Sequence, residues 1–121
     1  MPRPVLVVDD NEDAAESLVE LLKLNGHDAR AANDATSALE VLTEFTPQVM
    51  LVDIALPDAD GFELARRVRE SEGSSTPRLI ALTGFGQASA RERAMAAGFD
   101  DFLVKPMSYD QIESFLSSAN S

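Results

Sequence analysis

Short hydrophobic runs alternate with longer helical stretches along this chain, and this alternation limits its fold more than any other feature. The predicted strands are Val5–Val8, Asp28–Ala32, Val49–Val52, Leu79–Leu82 and Phe102–Val104. Continuous apolar runs such as VLVV and LIAL are typical of strands buried on both faces. Five strand–helix units in series predict an α/β fold, in which a parallel sheet with right-handed crossovers carries helices on both faces. Alternation does not fix the strand order, although the flavodoxin-like order of a doubly wound sheet suits five strands.

The segments between the strands carry helix signals. The first helix is predicted over Ala14–Leu24, closed by Asn25-Gly26, and the second begins at Asn33 or Asp34. Capping-box spacing precedes the last three helices, at Asp60 to Glu63, Ser89 to Glu92 and Ser108 to Gln111. We therefore expect a single domain over residues 1–121, ordered over about residues 4–117, with a frayed tail.

Composition excludes several classes of function. The net charge is −11, from 21 acidic and 10 basic residues, so direct binding to a nucleic acid is not expected. No run approaches the roughly 18 apolar residues of a membrane span, and membrane insertion is not expected. The absence of cysteine excludes disulfides and thiolate chemistry. The start, MPRPVLVV, lacks a cleavage-site pattern, and we expect a cytoplasmic location.

Polar residues follow four of the predicted strands. Asp9 and Asp10 end the first strand, Asp53 the third, Thr83 the fourth and Lys105 the fifth. Each residue alone is typical of a turn, a helix cap or the surface. In a doubly wound sheet, however, ligands bind beyond the carboxyl ends of the strands. We therefore expect three carboxylates, a hydroxyl and an ammonium group to meet at one edge.

Such a group of side chains has a definite chemistry. Three close carboxylates repel one another unless a cation or a proton intervenes. Oxygen ligands in a partly open site suit Mg²⁺, which keeps several waters and favours phosphate chemistry. A carboxylate can also attack phosphorus to give an aspartyl phosphate. Mg²⁺, Lys105 and Thr83 would supply the positive charge and hydrogen-bond donors that the transferred group needs.

Four motifs carry a resemblance to a known family. VLVVDD (5–10), DIALPDADG (53–61), ALTG (81–84) and FLVKP (102–106) are similar to the four signatures of the CheY-like response-regulator receiver domains. The motifs stand in the family's order and cover essentially the whole chain. The resemblance implies a sheet of order 2-1-3-4-5 and a two-component signalling protein, not a conventional enzyme. The ALTGFGQ stretch (81–87) also resembles receivers attached to hybrid histidine kinases.

The resemblance implies roles for the acidic residues. Asp53 would be the phosphoacceptor. Asp10, Asp53 and the backbone carbonyl of Ala55 would ligate Mg²⁺, and Asp9 would help through water.

The resemblance also implies a switch and partners. Thr83 and Lys105 would bind the phosphoryl group, and Phe102 stands at the position of the switch aromatic residue, where Tyr is commoner. The bond between Lys105 and Pro106 would be cis. The phosphodonor would be a histidine kinase or a histidine phosphotransfer protein. A downstream effector protein would bind the face formed by the fourth helix, the fifth strand and the fifth helix.

Three rival functions fit the sequence less well. A haloacid-dehalogenase-like phosphatase would need an acid two residues after the nucleophile, where this chain has Ala55. A flavin- or nucleotide-binding module would need a phosphate loop after the first strand, where the acids of residues 9–13 would repel phosphate. A pseudo-receiver usually lacks one of the five site residues, which are all present here.

Three further residues of interest, His27, Met95 and Tyr109, lie outside the four motifs. We expect neither a ligand nor a catalytic role for His27, which lies in a predicted turn. Met95 and Tyr109 belong either to the core or to the partner-binding face.

Overall fold

The fold is a single parallel sheet covered by helices on both faces. The computed structural model describes residues 4–54, 61–72, 77–84, 90–105 and 108–118. In chain order the elements are β1 (Pro4–Val8), α1 (Glu12–Leu24), β2 (Asp28–Ala32), α2 (Ala35–Val41), β3 (Val49–Asp53), α3 (Gly61–Glu72), β4 (Arg78–Thr83), α4 (Ala90–Ala97), β5 (Asp101–Val104) and α5 (Tyr109–Ser118). The strands pair in parallel in the order β2-β1-β3-β4-β5. The predicted α/β class and strand order are confirmed.

Consecutive residues within a strand are apolar because helices cover both faces of the sheet. Successive side chains of a strand point to opposite faces. Leu6 and Val8 pack with α2, α3 and α4 in one buried cluster, and Val5 and Val7 pack with α1 and α5 in another. Central strand β3 is buried along its whole length. None of the helices in the described part of the chain is long and apolar enough to cross a membrane.

The structure corrects the predicted start of one helix and decides between two predicted caps of another. Helix α1 begins at Glu12, two residues before the predicted start, because the Asn11 side chain accepts a hydrogen bond from Ala14 N (3.1 Å) and caps it. The cap of α2 is Asp34, whose Oδ1 accepts from Ser37 N at 2.7 Å. Asn33 is therefore not the cap.

One of the three predicted capping boxes lies fully within the described residues, and it is confirmed. Ser108 N donates to Gln111 Oε1 (2.9 Å), and Gln111 N donates to Ser108 Oγ (3.3 Å). Asp60 and Ser89, the first residues of the other two boxes, lie outside the described residues. The frayed tail was predicted from residue 117, but α5 continues through Ser118. Residues 119–121 lie outside the described residues.

Candidate metal centre at the carboxyl edge of the sheet

Strand register brings the predicted site residues to one edge. Val8 of β1 pairs with Val52 of β3, so that Asp9 and Asp53 follow at the same level on neighbouring strands. Asp53 in turn pairs with Leu82 of β4, directly before Thr83. Residues that sequence separates by tens of positions therefore meet because their strands end together.

The three acidic residues form a cluster with the geometry of a cation site. Carboxylate oxygens of Asp9, Asp10 and Asp53 lie within 4.8 Å of one another. Asp9 and Asp53 are buried, whereas Asp10 is exposed. A donor set of oxygens that is open to solvent on one side fits Mg²⁺, which binds through few carboxylates and keeps several waters. Ala55, whose carbonyl was predicted as a further ligand, lies outside the described residues.

Lys105 lies between two of these carboxylates. Its Nζ donates to Asp53 Oδ2 at 2.9 Å and to Asp9 Oδ2 at 3.0 Å. Burial lowers the pKa of Lys105, but the hydrogen bonds to Asp53 and Asp9 and their negative charges outweigh that effect and leave the pKa above its ordinary value. Lys105 is therefore an ammonium ion at neutral pH, held directly against the predicted phosphoacceptor.

Asp9 is fixed by the backbone around it. Asn11 N donates to Asp9 Oδ1 (3.0 Å), and Asp9 N donates to Ala32 O at the end of β2 (3.0 Å). The side chain of Asn33 donates from Nδ2 to the backbone oxygen of Asp9, also at 3.0 Å. From the sequence alone, Asn33 is predicted only as a possible helix cap. Its position directly after a strand was the one available signal of a role at this edge.

The hydroxyl of Thr83 is buried at the same edge. Its Oγ1 lies 3.4 Å from Leu103 O, a long hydrogen bond, and Thr83 O accepts from Lys105 N at 2.8 Å. Phe102, on β5, is half-buried and packs against the cluster of α2, α3 and α4. The predicted hydroxyl and aromatic residue therefore lie on adjacent strands, β4 and β5.

Gly61 lies against the backbone at the end of β3, where the predicted phosphoacceptor Asp53 stands. A Cβ at this position would lie 2.6 Å from Ile54 Cα and 2.8 Å from Asp53 O, closer than real side chains approach. Gly61 N also donates to Ile54 O at 2.9 Å. The chain can therefore return to Asp53 this closely because residue 61 has no side chain.

His27 and Tyr109 share one partner, Glu113. His27 Nε2 lies 3.1 Å from Glu113 Oε1, and Tyr109 donates its hydroxyl to Glu113 Oε2 at 2.7 Å. Burial and this hydrogen bond raise the pKa of Tyr109. Tyr109 packs against the cluster of α1 and α5, whereas Met95 on α4 is 50% exposed. Tyr109 thus packs against the core from a half-buried position, and Met95 lies at the surface. A contact of either residue with a partner stays a prediction.

A groove between α1 and α5 opens beside the acidic cluster. Its volume is about 560 Å³, and its lining is Asp9, Asn11, Ala14, Ser17, Leu18, Leu21, Leu82, Lys105, Tyr109 and Ile112. Most of these side chains are apolar, and Leu21 is 43% exposed. Asp9 and Lys105 line both the groove and the acidic cluster.

Known proteins are similar to this chain in sequence and in fold. The chain matches the family model of the response regulator receiver domain over residues 5–117. It is 39% identical, over 103 residues, to an uncharacterised 14.6 kDa protein of Leptolyngbya boryana, covering 85% of this chain and 79% of that protein. It is 36% identical, over 108 residues, to the response regulator MprA of Mycobacterium leprae, covering 89% of this chain and 46% of MprA. The chain thus spans about half the length of the MprA relatives.

Solved structures give the same result. A putative response regulator from Chloroflexus aurantiacus superposes with a TM-score of 0.89 at 30% identity, over 98% of both chains. NtrX from Brucella abortus superposes with a TM-score of 0.89 at 28% identity, over 98% of this chain and 27% of NtrX. From the family match, the relatives and the fold together, the chain belongs to the response regulator receiver domain family of two-component signalling.

Proposed function

We propose that this receiver domain accepts a phosphoryl group on Asp53 in a Mg²⁺-dependent reaction. The observation that carries the proposal is the position of Lys105, whose ammonium joins Asp53 to Asp9 while Asp10 lies within the same cluster. Asp10, Asp53 and the Ala55 carbonyl would hold the ion, with Asp9 acting through water. When bound, Mg²⁺ would neutralise charge on the transferred phosphoryl group.

The residues of the chain divide the chemistry among them. An oxygen of the Asp53 carboxylate attacks the phosphorus of a phosphohistidine donor. The O–P bond forms as the P–N bond breaks, and the electron pair of the broken bond stays on the donor's imidazole nitrogen. The Lys105 ammonium, already 2.9 Å from Asp53, offsets charge on the phosphoryl oxygens. The Thr83 hydroxyl, on the neighbouring strand, donates a hydrogen bond to one of them.

Asp53 suits the role of nucleophile better than its acidic neighbours do. It ends the central strand β3, with Lys105 against its carboxylate and β4, which ends at Thr83, beside it. Asp9 is more deeply buried, and its Oδ1 accepts from Asn11 N. Asp10 is exposed, and Lys105 donates to Asp9 and Asp53 instead. A phosphoryl group on Asp53 would therefore be within reach of both Lys105 and Thr83.

We further propose that phosphorylation changes the surface formed by α4, β5 and α5. The hydrogen bond of Thr83 to Leu103 O is long, at 3.4 Å, so that a phosphoryl oxygen competes for this hydroxyl easily. Inward movement of Thr83 frees space into which the half-buried Phe102 ring turns. The equilibrium between the outward and inward positions of this ring then shifts toward the inward one. Met95 and Val104, which are 50% and 42% exposed, offer apolar contacts to an effector protein on this surface.

The proposed partners follow from the same chemistry. The phosphodonor is a histidine kinase or a histidine phosphotransfer protein, and the groove between α1 and α5 lies next to Lys105 for such a protein to contact. Because phosphohistidine is made from ATP, the proposed location is the cytoplasm.

Mass spectrometry of the intact protein tests the phosphorylation. With MgCl₂ and acetyl phosphate, the wild type should gain a single acid-labile phosphoryl group, and Asp53→Asn should gain none. Asp28→Asn is the matched control, because Asp28 is exposed at the opposite end of the sheet, where β2 begins. It should be phosphorylated as the wild type is. Undiminished phosphorylation of Asp53→Asn, or no phosphorylation of the wild type, would contradict the proposal.

Amide chemical shifts test the switch. Beryllium fluoride, which mimics a phosphoryl group, should change the shifts of the wild type across α4, β5 and the start of α5. The change should be much smaller in Thr83→Val, which keeps the shape of the side chain and loses its hydroxyl. Shift changes limited to the loops after Asp10 and Asp53 in the wild type would rule out the switch and leave the phosphorylation untouched.

A further inference from the structure

Asn33 contacts the acidic site from a strand that supplies none of its ligands. It follows β2, at the edge of the sheet, and is half-buried. Its Nδ2 donates to the backbone oxygen of Asp9 at 3.0 Å. Helix α2 is capped by the next residue, Asp34. The helix therefore does not need Asn33, and its side chain is directed at the neighbouring strand instead.

Asp9 is held through both of its backbone groups by the end of β2. Its N–H donates to Ala32 O at 3.0 Å, and its carbonyl oxygen accepts from Asn33 at the same distance. The first of these bonds continues the ladder between β1 and β2. The second is made by a side chain at the point where the ladder ends, so that the peptide between Asp9 and Asp10 is fixed after regular strand pairing has stopped.

The orientation of this peptide determines where Asp10 points. The carbonyl of Asp9 and the nitrogen of Asp10 belong to one rigid plane. Asp10 is exposed, and within the described residues its carboxylate is not held by a side-chain donor of the kind that Lys105 provides to Asp9 and Asp53. Since Asp10 lies beside two other carboxylates, repulsion drives it outward. The backbone must therefore keep it in place.

From these contacts we infer that Asn33 is a positioning residue of the magnesium site. It holds the peptide between Asp9 and Asp10, and so keeps the Asp10 carboxylate within reach of an ion shared with Asp53. The inference rests on the proposed function. Residues that hold metal ligands without touching the metal typically change its affinity 10- to 100-fold when they are lost.

Isothermal titration with MgCl₂ measures the effect without any phosphodonor. Asn33→Leu, which keeps the approximate size and removes the donor, should raise the Kd for Mg²⁺ about 10-fold. Asn25→Leu is the matched control, because Asn25 Nδ2 also donates to a backbone oxygen, that of Leu21, at 2.8 Å, but at the far end of α1. Its Kd should equal that of the wild type. Asn33→Ser provides a second variant if the Leu side chain prevents folding.

Phosphorylation by acetyl phosphate gives a second readout. The Asn33 variant should be phosphorylated slowly at low MgCl₂ and at nearly the wild-type rate at saturating MgCl₂, because the defect lies in the position of a ligand. A purely structural role would lower the melting temperature and leave the Kd unchanged. A Kd within twofold of the wild type would overturn the inference and leave the proposed function intact. A wild type that neither binds Mg²⁺ nor is phosphorylated would overturn both.

Discussion

The two edges of the sheet use charged residues in opposite ways. At the carboxyl edge, the described residues include three close carboxylates, and two of them, those of Asp9 and Asp53, accept hydrogen bonds from the ammonium group of Lys105. At the amino edge, before β4 and β5, Arg69 donates to Pro77 O (3.1 Å), Gly98 O (2.9 Å) and Asp100 Oδ2 (2.7 Å). Asp100 Oδ2 also accepts from Leu79 N at 2.8 Å.

The difference separates the proposed functional cluster from a structural one. Arg69 and Asp100 are matched in charge, and their remaining hydrogen bonds go to the backbone, so that they join α3 to the starts of two strands. The cluster of Asp9, Asp10 and Asp53 has an excess of negative charge. Such an excess costs stability and is retained where a cation or a reaction requires it. Charge balance, and not burial or hydrogen bonding alone, distinguishes the two edges.

Removing the cation at each edge should give the largest difference. Lys105→Met should reduce phosphorylation of Asp53 at least about 100-fold, the typical loss when a group that stabilises developing charge is removed. Arg69→Met should leave phosphorylation within about twofold, because Arg69 contacts none of the site residues. Phosphorylation rates with acetyl phosphate, measured below the melting temperature of both variants, check this.

The same pair of variants should both be less stable than the wild type. Arg69→Met removes the donor from two backbone oxygens and leaves the Asp100 carboxylate with only the Leu79 N–H of the two donors named above, which should cost about 2–4 kcal/mol of unfolding free energy. Urea unfolding with and without MgCl₂ separates the edges. Mg²⁺ should stabilise Arg69→Met only as much as it stabilises the wild type, because the site of this variant is intact. It should stabilise Lys105→Met more than the wild type, because the ion replaces the lost positive charge. An equal gain in unfolding free energy from Mg²⁺ in both variants would contradict the distinction between the two edges.

A methyl group added at two glycines should give the next largest effect. Gly61→Ala places a Cβ against the backbone of Asp53 and Ile54 and should cost about 2–3 kcal/mol, as overpacking does. Gly26→Ala meets open space but keeps a φ of +87°, and should cost about 1 kcal/mol. Only Gly61→Ala should also slow phosphorylation, because it displaces the phosphoacceptor strand. Urea unfolding and phosphorylation rates measure both effects, and an unaffected Gly61→Ala would contradict the close approach.

Mg²⁺ should stabilise the wild type modestly. At ten times its Kd, a ligand that binds the folded state alone adds RT ln 11, about 1.4 kcal/mol, which raises the melting temperature of a domain this size by roughly 4–8 °C. Asp10→Asn should be more stable than the wild type without metal, because repulsion is relieved, and should gain less from Mg²⁺. Thermal melts at pH 7 with NaCl matched for ionic strength check this. An equal gain in both proteins would show that Asp10 is not a ligand.

A change of pH should have the smallest effect on the unfolding free energy. The raised pKa of Lys105 means that the folded state holds this proton more tightly than the unfolded chain does. The resulting stabilisation is complete below the ordinary lysine pKa of about 10.4 and is lost as the pH rises through the higher folded value. The difference in unfolding free energy between the wild type and Lys105→Met should be constant from pH 7 to 9 and shrink above pH 10. A difference that shrank below pH 9 would show that the pKa is lowered.

Local sequence pattern was sufficient to predict the α/β class and the polar residues that follow the strands. The strand order came from the resemblance to receiver domains, and the roles of the site residues stay predictions. The strands are apolar in succession because both faces are covered, and this pattern is visible in the sequence. Residues such as Asp53 and Thr83, directly at strand ends, could be predicted to meet because parallel strands finish at one edge. The roles predicted for residues outside the described ranges, such as the Ala55 carbonyl as a ligand and the cis bond before Pro106, stay predictions.

Tertiary structure alone decided which polar side chains touch. Lys105 reaches Asp9 across 96 positions and Asp53 across 52, and the sequence indicated the edge but not these bonds. Asn33, Arg69 and His27 were not predicted to make the contacts they make. Each is a residue type that is common on protein surfaces. Sequence periodicity determines which face of an element is buried, whereas a hydrogen bond depends on the distance between two side chains from different elements, which packing sets.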